Sequence, residues 1–426
     1  EEYEDPIAFI QSDWNITLES FSASIPVISS DTYNDKSNIH ANGDGNEIYG
    51  YDEQGNFYFA FVEDYVSVGG SSISQRGIHV VKVSENGTIE WIETISSSYY
   101  NCRYDSVYCK VMSLKITGED QFYLLVSTYN SQTLQFSGNL SLSVSSNQLV
   151  IAYHDTSGWS WAESVSSSNG YAYSNVIHTE LDSSNDIVIT MRDANTGGYT
   201  EYSVISYSAS GGKWNRQLDV YYGSPNYGDS PILMDVEGTT IHYFALTKNN
   251  LRYDSQSTYC PTNSNFNGFC YVWISINSNG VKTSDQAIEY PSIEFYQFEV
   301  IQSKAYLYGE STDVVDSSYD ETTIFNSTPQ TYSQEVAVIC SYDSAGNLRY
   351  NQTVGYALGN NWDLSSPVYE EDGSAFLFTF QVKNNPMTTT YDGVNLVNYT
   401  NKQIERTIIK IDNFGNHIWH TGIGSD

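Results

Sequence analysis

Short runs in which apolar or aromatic residues alternate with polar ones recur along this chain, joined in pairs by tight polar turns. One pair reads His79-Val-Val-Lys-Val-Ser-Glu-Asn-Gly-Thr-Ile-Glu-Trp91. Comparable pairs occupy Leu149 to Trp161, Tyr202 to Trp214, Tyr271 to Thr283, Val336 to Tyr350 and Thr407 to Trp419. Alternation with period two on either side of a glycine turn predicts a β-hairpin. The turn glycines are Gly87, Gly158, Gly211, Gly280, Gly346 and Gly415, separated by 71, 53, 69, 66 and 69 residues. A second, weaker hairpin precedes each: Glu47 to Val62, Val111 to Val126, Val176 to Thr190, Ile232 to Leu246, Ile293 to Tyr308 and Pro367 to Val382. No segment carries the period of an amphipathic helix.

Two hairpins per unit, repeated about six times, predict an all-β fold: a β-propeller of six four-stranded blades. One such sheet cannot bury both faces alone, whereas stacked sheets cover one another. Trp91, Trp161, Trp214 and Trp419 are expected to wedge between neighbours. Residues 47–426 form this domain and residues 1–46 a separate N-terminal segment. Within that segment Ile7 to Phe21 reads as a further hairpin. It would complete a seventh blade, add an outer strand, or pack on a neighbouring subunit. The links between second and third strands vary most, at Glu63 to Arg76, Thr128 to Gln148, Asp193 to Thr200, Lys248 to Phe269, Glu310 to Gln334 and Val382 to Gln403. They are expected to gather as a binding face, with Tyr253, Tyr259, Tyr319, Tyr332 and Tyr391 as its aromatic contacts.

The stretch Thr388-Thr-Thr-Tyr-Asp-Gly-Val-Asn-Leu, followed by Thr407-Ile-Ile-Lys-Ile-Asp-Asn-Phe-Gly-Asn-His-Ile-Trp-His-Thr-Gly-Ile-Gly-Ser425, resembles an SBBP-type β-propeller repeat. Val81 to Trp91 resembles it equally well, Thr322 to Gly355 fits with Tyr350 in place of Trp, and Val150 to Trp161 and Ser203 to Trp214 are shortened versions. The resemblance covers roughly residues 47–426. It implies a propeller of a secreted or surface protein and no shared catalytic set.

Charge narrows the partners. Fifty-one acidic residues against 18 basic ones give a formal net charge of -33, which argues against nucleic acid and anionic membranes. Hydrophobic residues are 40% and aromatics 15% of the chain, enough for an extended β core. No apolar run is long enough for a membrane-spanning helix. The chain begins Glu1-Glu2-Tyr3, consistent with removal of a leader and with an extracellular or cell-surface location. Of the five cysteines, Cys102 and Cys109, and Cys260 and Cys270, are spaced as short disulfide loops, which implies an oxidising compartment. Cys340, on a strand, reads as a buried small hydrophobe. Sequons at Asn15, Asn86, Asn139, Asn326, Asn351 and Asn398 permit glycosylation, about as many as chance supplies in so Asn- and Ser-rich a chain.

Catalytic signals are sparse. None of the seven histidines forms HExxH, and there is no G-x-S-x-G elbow. His417 and His420 flank Trp419 at odd spacing and are expected on opposite faces of a strand. His154-Asp155 reads as turn chemistry. The sequence nominates no pair of carboxylates for glycosidase chemistry. Asn42, Asp44 and Asn46, with Glu53 further on, alternate oxygen donors as a calcium loop does, but Glu47 stands where the loop glycine belongs. The segment reads as a polar entry loop before a strand, with calcium as the alternative, and no catalytic residue and no cofactor is predicted. The expected role is a non-catalytic structural or adhesive propeller whose partners are copies of itself, as in a filament, or surface glycans and proteins. The alternative is a carbohydrate-binding or carbohydrate-active propeller using the variable-link face.

Overall fold

The structure, a computed structural model, describes residues 48–63, 66–68, 71–73, 77–98, 109–128, 130–146, 148–165, 175–196, 199–221, 232–261, 269–289, 293–311, 337–357, 362–382, 387–391, 394–399 and 404–425. Among the described residues the regular elements are antiparallel strands and a 3-10 turn at Ser137–Asn139. The chain forms two compact units, one of residues 1–181, 185–194 and 201–216 and one of residues 182–184, 195–200 and 217–426. The boundary falls within the strands of the third sheet.

Six sheets follow one another along the chain, beside a small two-stranded ribbon of Val66–Val68 and Ser71–Ile73. In the first, Tyr49–Tyr51, Phe57–Glu63, Gly77–Val83 and Ile89–Ser97 lie side by side in chain order. The other five repeat this meander. All seven residues of Gly77–Val83 are buried. This third strand is covered on both faces, so Ile78, Val80, Val81 and Val83 are buried together with His79 and Lys82 rather than alternating with exposed residues. The fourth strand, Ile89–Ser97, is mostly half-exposed.

Consecutive sheets within each unit pack through shared cores. In the first unit Tyr58, Ala60 and Val80 of the first sheet meet Leu114, Phe122 and Leu124 of the second. Leu125 and Ile151 then meet Ile189 and Ile205 of the third. In the second unit Phe244 and Trp273 of the fourth sheet pack on Phe295 and Phe298 of the fifth, and Tyr306 and Ile339 on Leu377 and Ile409 of the sixth.

Three of the hairpin turns share one chemistry. In Asp52-Glu-Gln-Gly-Asn56, Asp52 Oδ1 accepts from the amides of Gln54 at 3.0 Å and Asn56 at 2.9 Å, and Oδ2 accepts from the Asn56 side chain at 2.8 Å. Asp343 to Asn347 and Asp412 to Asn416 repeat all three bonds. Burial works against the Asp412 carboxylate, but the bonds from Asn416 hold its pKa below the usual value. A Cβ on Gly415, at φ 77°, would lie 2.6 Å from the Tyr350 ring, so conformation and space both demand glycine there.

Alternate sheets are wider than the four strands expected. The first, third and fifth have six strands; the second, fourth and sixth have four. The extra pairs come from links expected to be binding loops. Gln132–Gln135 and Ser141–Val144, between two strands of the second sheet, pair instead on the outer strand of the first, with Ser96 opposite Gln135. Asn250–Tyr253 and Gln256–Tyr259 extend the third sheet, and Met387–Tyr391 and Val394–Tyr399 the fifth. Each added hairpin satisfies the backbone groups of an edge strand that would otherwise stand unpaired. The link Thr128 to Gln148, and its counterparts Lys248 to Phe269 and Val382 to Gln403, are thus edge covers as well as connections.

Cys260 and Cys270 are bonded, with Sγ atoms 2.06 Å apart, tying the end of one added hairpin to the start of the third strand of the fourth sheet. Cys340 is buried, and burial pushes its thiol pKa up. Cys109 is buried at the start of its strand; its expected partner Cys102 lies outside the described residues. Asn86 and Asn139 are exposed in turns, Asn351 is half-buried on a strand and Asn398 lies on a strand; Asn15 and Asn326 fall outside the described residues. So do residues 1–46, with Asn42, Asp44 and Asn46 of the candidate calcium loop; Glu53 is exposed in a hairpin turn. The expectation for His417 and His420 is corrected. A bulge opposite Lys410 and Ile411 brings their rings to one side, with His417 Nε2 3.0 Å from His420 Nδ1.

Candidate functional site

In five of the six sheets a row of three side chains crosses the second, third and fourth strands beside the hairpin turn. In the first sheet Tyr58, Lys82 and Trp91 stand opposite one another on the second, third and fourth strands. The corresponding rows are Tyr123, Tyr153 and Trp161 in the second sheet, and His242, Ser275 and Ser284 in the fourth. They continue as Tyr306, Ser341 and Tyr350 in the fifth and Phe376, Lys410 and Trp419 in the sixth. These positions fall beside the hairpin bulge, where the local twist turns side chains toward the adjoining sheet.

In the first unit the row is a buried charged tie. Lys82, 1% exposed, places its ammonium 2.9 Å from Glu90, 3.0 Å from Asp120 and 3.5 Å from Glu119. Trp91 Nε1 donates to the same Asp120 oxygen at 2.9 Å, and the Asp120 amide donates to the Tyr58 hydroxyl at 3.0 Å. Tyr58 in turn donates to Asp52 at 2.9 Å. Burial opposes the Lys82 charge, but hydrogen bonds to Glu90 and Asp120 outweigh it and raise the pKa above the ordinary lysine value. Asp155 is turn chemistry as expected, accepting from the Ser157 amide at 2.7 Å, while its neighbour His154 is stacked on Phe122 at 4.7 Å with Nδ1 2.9 Å from the Asp120 carbonyl. Trp91 and Trp161 are wedges as expected: Trp91 stacks on Phe122 and His154, Trp161 on Tyr207. Trp419 is instead 43% exposed.

In the second unit a cation also holds the row in two sheets. Arg349 donates to Ser341 Oγ at 2.8 Å, the Tyr306 hydroxyl at 3.2 Å and the Asn413 carbonyl at 3.0 Å. Lys410 is bound by Glu370 and by Ser374 at 3.1 Å, and its ammonium sits 3.8 Å from the Phe376 ring centre.

The fourth sheet departs from this plan. Ser275 and Ser284 stand where the first sheet has Lys82 and Trp91, and a cavity of about 220 Å³ opens beside them. His242 and Trp273 line it, with Glu237 and Thr240 at the first turn of the sheet and Ser303 and Ser344 from turns of the fifth. His242 is 5% exposed. The Trp273 indole donates to its Nδ1 at 3.3 Å and Ser275 Oγ lies 3.0 Å from the same atom. An indole N–H only donates, so Nδ1 is the acceptor and the neutral ring carries its proton on Nε2. That N–H is buried and has no acceptor among the described residues. Burial pushes the His242 pKa down to about 4, which keeps the ring neutral at physiological pH.

Of the residues expected to form an aromatic binding face, Tyr253 is 1% exposed and its hydroxyl donates to the Gly280 carbonyl at 3.0 Å; it is a core residue. Tyr259 is 69% exposed on its added hairpin, Tyr391 lies on another, and Tyr319 and Tyr332 are outside the described residues. Among the described residues no three His, Cys, Asp or Glu side chains gather as a metal centre. The His242 cavity escaped sequence reading, because its residues come from two sheets and only strand register aligns them.

No family model matches the chain, and no curated protein matches it. Solved structures similar to it share little sequence. A protein of unknown function from Bacteroides caccae is 8% identical with a TM-score of 0.27, covering 72% of this chain and 94% of its own. A mutant of the Synechocystis apocarotenoid oxygenase is 12% identical with a TM-score of 0.35, covering 89% and 80%. Prolyl oligopeptidase B from Galerina marginata is 9% identical with a TM-score of 0.32, covering 85% of this chain and 54% of its own.

Proposed function

We propose that the six sheets are blades of a β-propeller, and that the protein is a non-catalytic structural or adhesive subunit of an extracellular assembly. The observation that carries this reading is what the charged groups do. Lys82, Arg349 and Lys410 are each engaged in ties across a strand row or between neighbouring sheets. Asp52, Asp343 and Asp412 are engaged in turns. Their chemistry builds a rigid scaffold. The Cys260–Cys270 bond and the exposed sequon turns at Asn86 and Asn139 suit an oxidising, extracellular setting. Negative-stain microscopy of the natively purified protein tests the reading. Six-lobed discs joined into fibres or arrays are expected; single discs at every concentration overturn assembly, and any other outline overturns the propeller.

A second reading, carbohydrate binding, is favoured by one feature. The fourth-sheet cavity is lined by hydroxyls, an amide, a carboxylate, an indole and His242, whose imidazole N–H is buried without a partner. A glycan array probed with the full chain tests it, and the absence of any retained glycan sinks it.

A further inference from the structure

The row that a long side chain fills in other sheets is built in the fourth from His242, Ser275 and Ser284. Where Lys82 reaches across the first sheet and Lys410 across the sixth, Ser275 ends short, as Ser341 does in the fifth, where Arg349 bonds it instead; where Trp91 and Trp419 stand, Ser284 does. The carboxylate at the first turn is retained: Glu237 lies at the position of Glu370, which in the sixth sheet binds Lys410. Glu237 instead accepts from the Ser303 amide at 3.0 Å and 3.1 Å. The internal plug is lost while the polar frame around it is kept.

We propose that this cavity is a binding site for one neutral sugar ring, and that the His242 Nε2–H, which water does not reach in this structure, opens to a ring hydroxyl as the ligand enters. The proposal rests on the carbohydrate-binding reading and gives it a location. Three features select the ligand. An anion would face Glu237 and find no cation on the wall. A cation would meet the Nε2–H once that group opens, and it is fixed as a donor because Nδ1 accepts from Trp273. A neutral ligand that both donates and accepts satisfies the carboxylate, the Thr240 and Ser344 hydroxyls and the imidazole together, and polar groups placed this way are what set orientation in a small-molecule site. A volume of about 220 Å³ admits one ring and little more. Burial keeps His242 neutral at physiological pH, so Nδ1 stays the acceptor for Trp273 and the wall gains no positive charge.

The test uses the full chain and a panel of methyl glycosides of glucose, mannose, galactose and N-acetylglucosamine, followed by saturation-transfer NMR and calorimetry. Two variants refill the row after the pattern of the first sheet: Ser284→Trp alone, and Ser275→Lys with Ser284→Trp. A glycoside that binds the parent chain and is weakened roughly tenfold or more in either folded variant supports the site. A glycoside that binds the parent and both variants equally overturns the cavity but leaves carbohydrate binding elsewhere intact. No binding of any glycoside up to about 10 mM overturns the cavity and the carbohydrate reading together. Retention of the parent circular dichroism spectrum by Ser284→Trp separates loss of binding from loss of fold.

Discussion

Lys82 of the first sheet and Asp120 in the leading turn of the second are joined at 3.0 Å, and Trp91 donates to the same carboxylate oxygen. The ammonium is almost fully buried, whereas Asp120 is 29% exposed and Glu90 40%. Losing the cation leaves carboxylates that water partly reaches, so the cost falls below that of breaking a fully buried pair. Lys82→Ala is expected to lower unfolding stability by about 2–3 kcal/mol, and Lys82→Met by less because its stem still fills the space. Urea denaturation of both variants measures this, and an unchanged midpoint would contradict the tie.

His242 makes stability depend on pH. Its folded-state pKa, about 4, lies below the ordinary histidine value of 6.5. As pH falls below that ordinary value the unfolded chain binds a proton that the folded chain refuses, so stability decreases from about pH 6.5 down to about pH 4. The loss approaches about 3 kcal/mol at the acid end. Melting curves of the parent and of His242→Gln across this window should converge as the pH drops; parallel curves would refute the assignment.

Two glycines with positive φ separate conformational strain from crowding. At Gly158, φ 117°, an added Cβ meets nothing within 4 Å; at Gly373, φ 83°, it would lie 2.0 Å from the Tyr306 hydroxyl. Gly158→Ala should cost about 1 kcal/mol, and Gly373→Ala clearly more because Tyr306 is fully buried and must move. Equal losses in chemical denaturation would mean that the close approach is relieved without cost.

The Cys260–Cys270 bridge closes a short loop beside a buried strand. In the chain-entropy account such a loop contributes about 2.5–3 kcal/mol. Replacing both cysteines by serine, or adding reductant, should lower the melting temperature, as calorimetry would record. The paired substitution is expected to remove any further effect of reductant at this site.

The hairpins were legible because each carries its own code: alternation, a turn glycine and often an aspartate, all within a dozen residues. Gly87, Gly280, Gly346 and Gly415 all take the positive φ their turns require. What escaped depends on partners distant in sequence. Nothing in Gln132 to Val144 announces that it pairs with Ser96 and Ser97 rather than closing its own sheet. The bulge beside Ile411 shifts His417 by one place and defeats the simple two-residue period. Tyr253 looks like a loop aromatic until an added hairpin places its ring in the core. The row of His242, Ser275 and Ser284 exists only through register, so no local motif could reveal it.

The alternation of wide and narrow sheets sets the grain along which this protein divides. A segment such as 49–165 carries both a sheet and the ribbon that caps its rim, because that ribbon is spliced into the sheet that follows. Duplication, deletion or shuffling in steps of two sheets therefore preserves every cap. A step of one strands a ribbon with no rim to lie on, or leaves a rim bare and prone to recruit foreign strands. Growth and decay of such a chain should accordingly proceed in doublets.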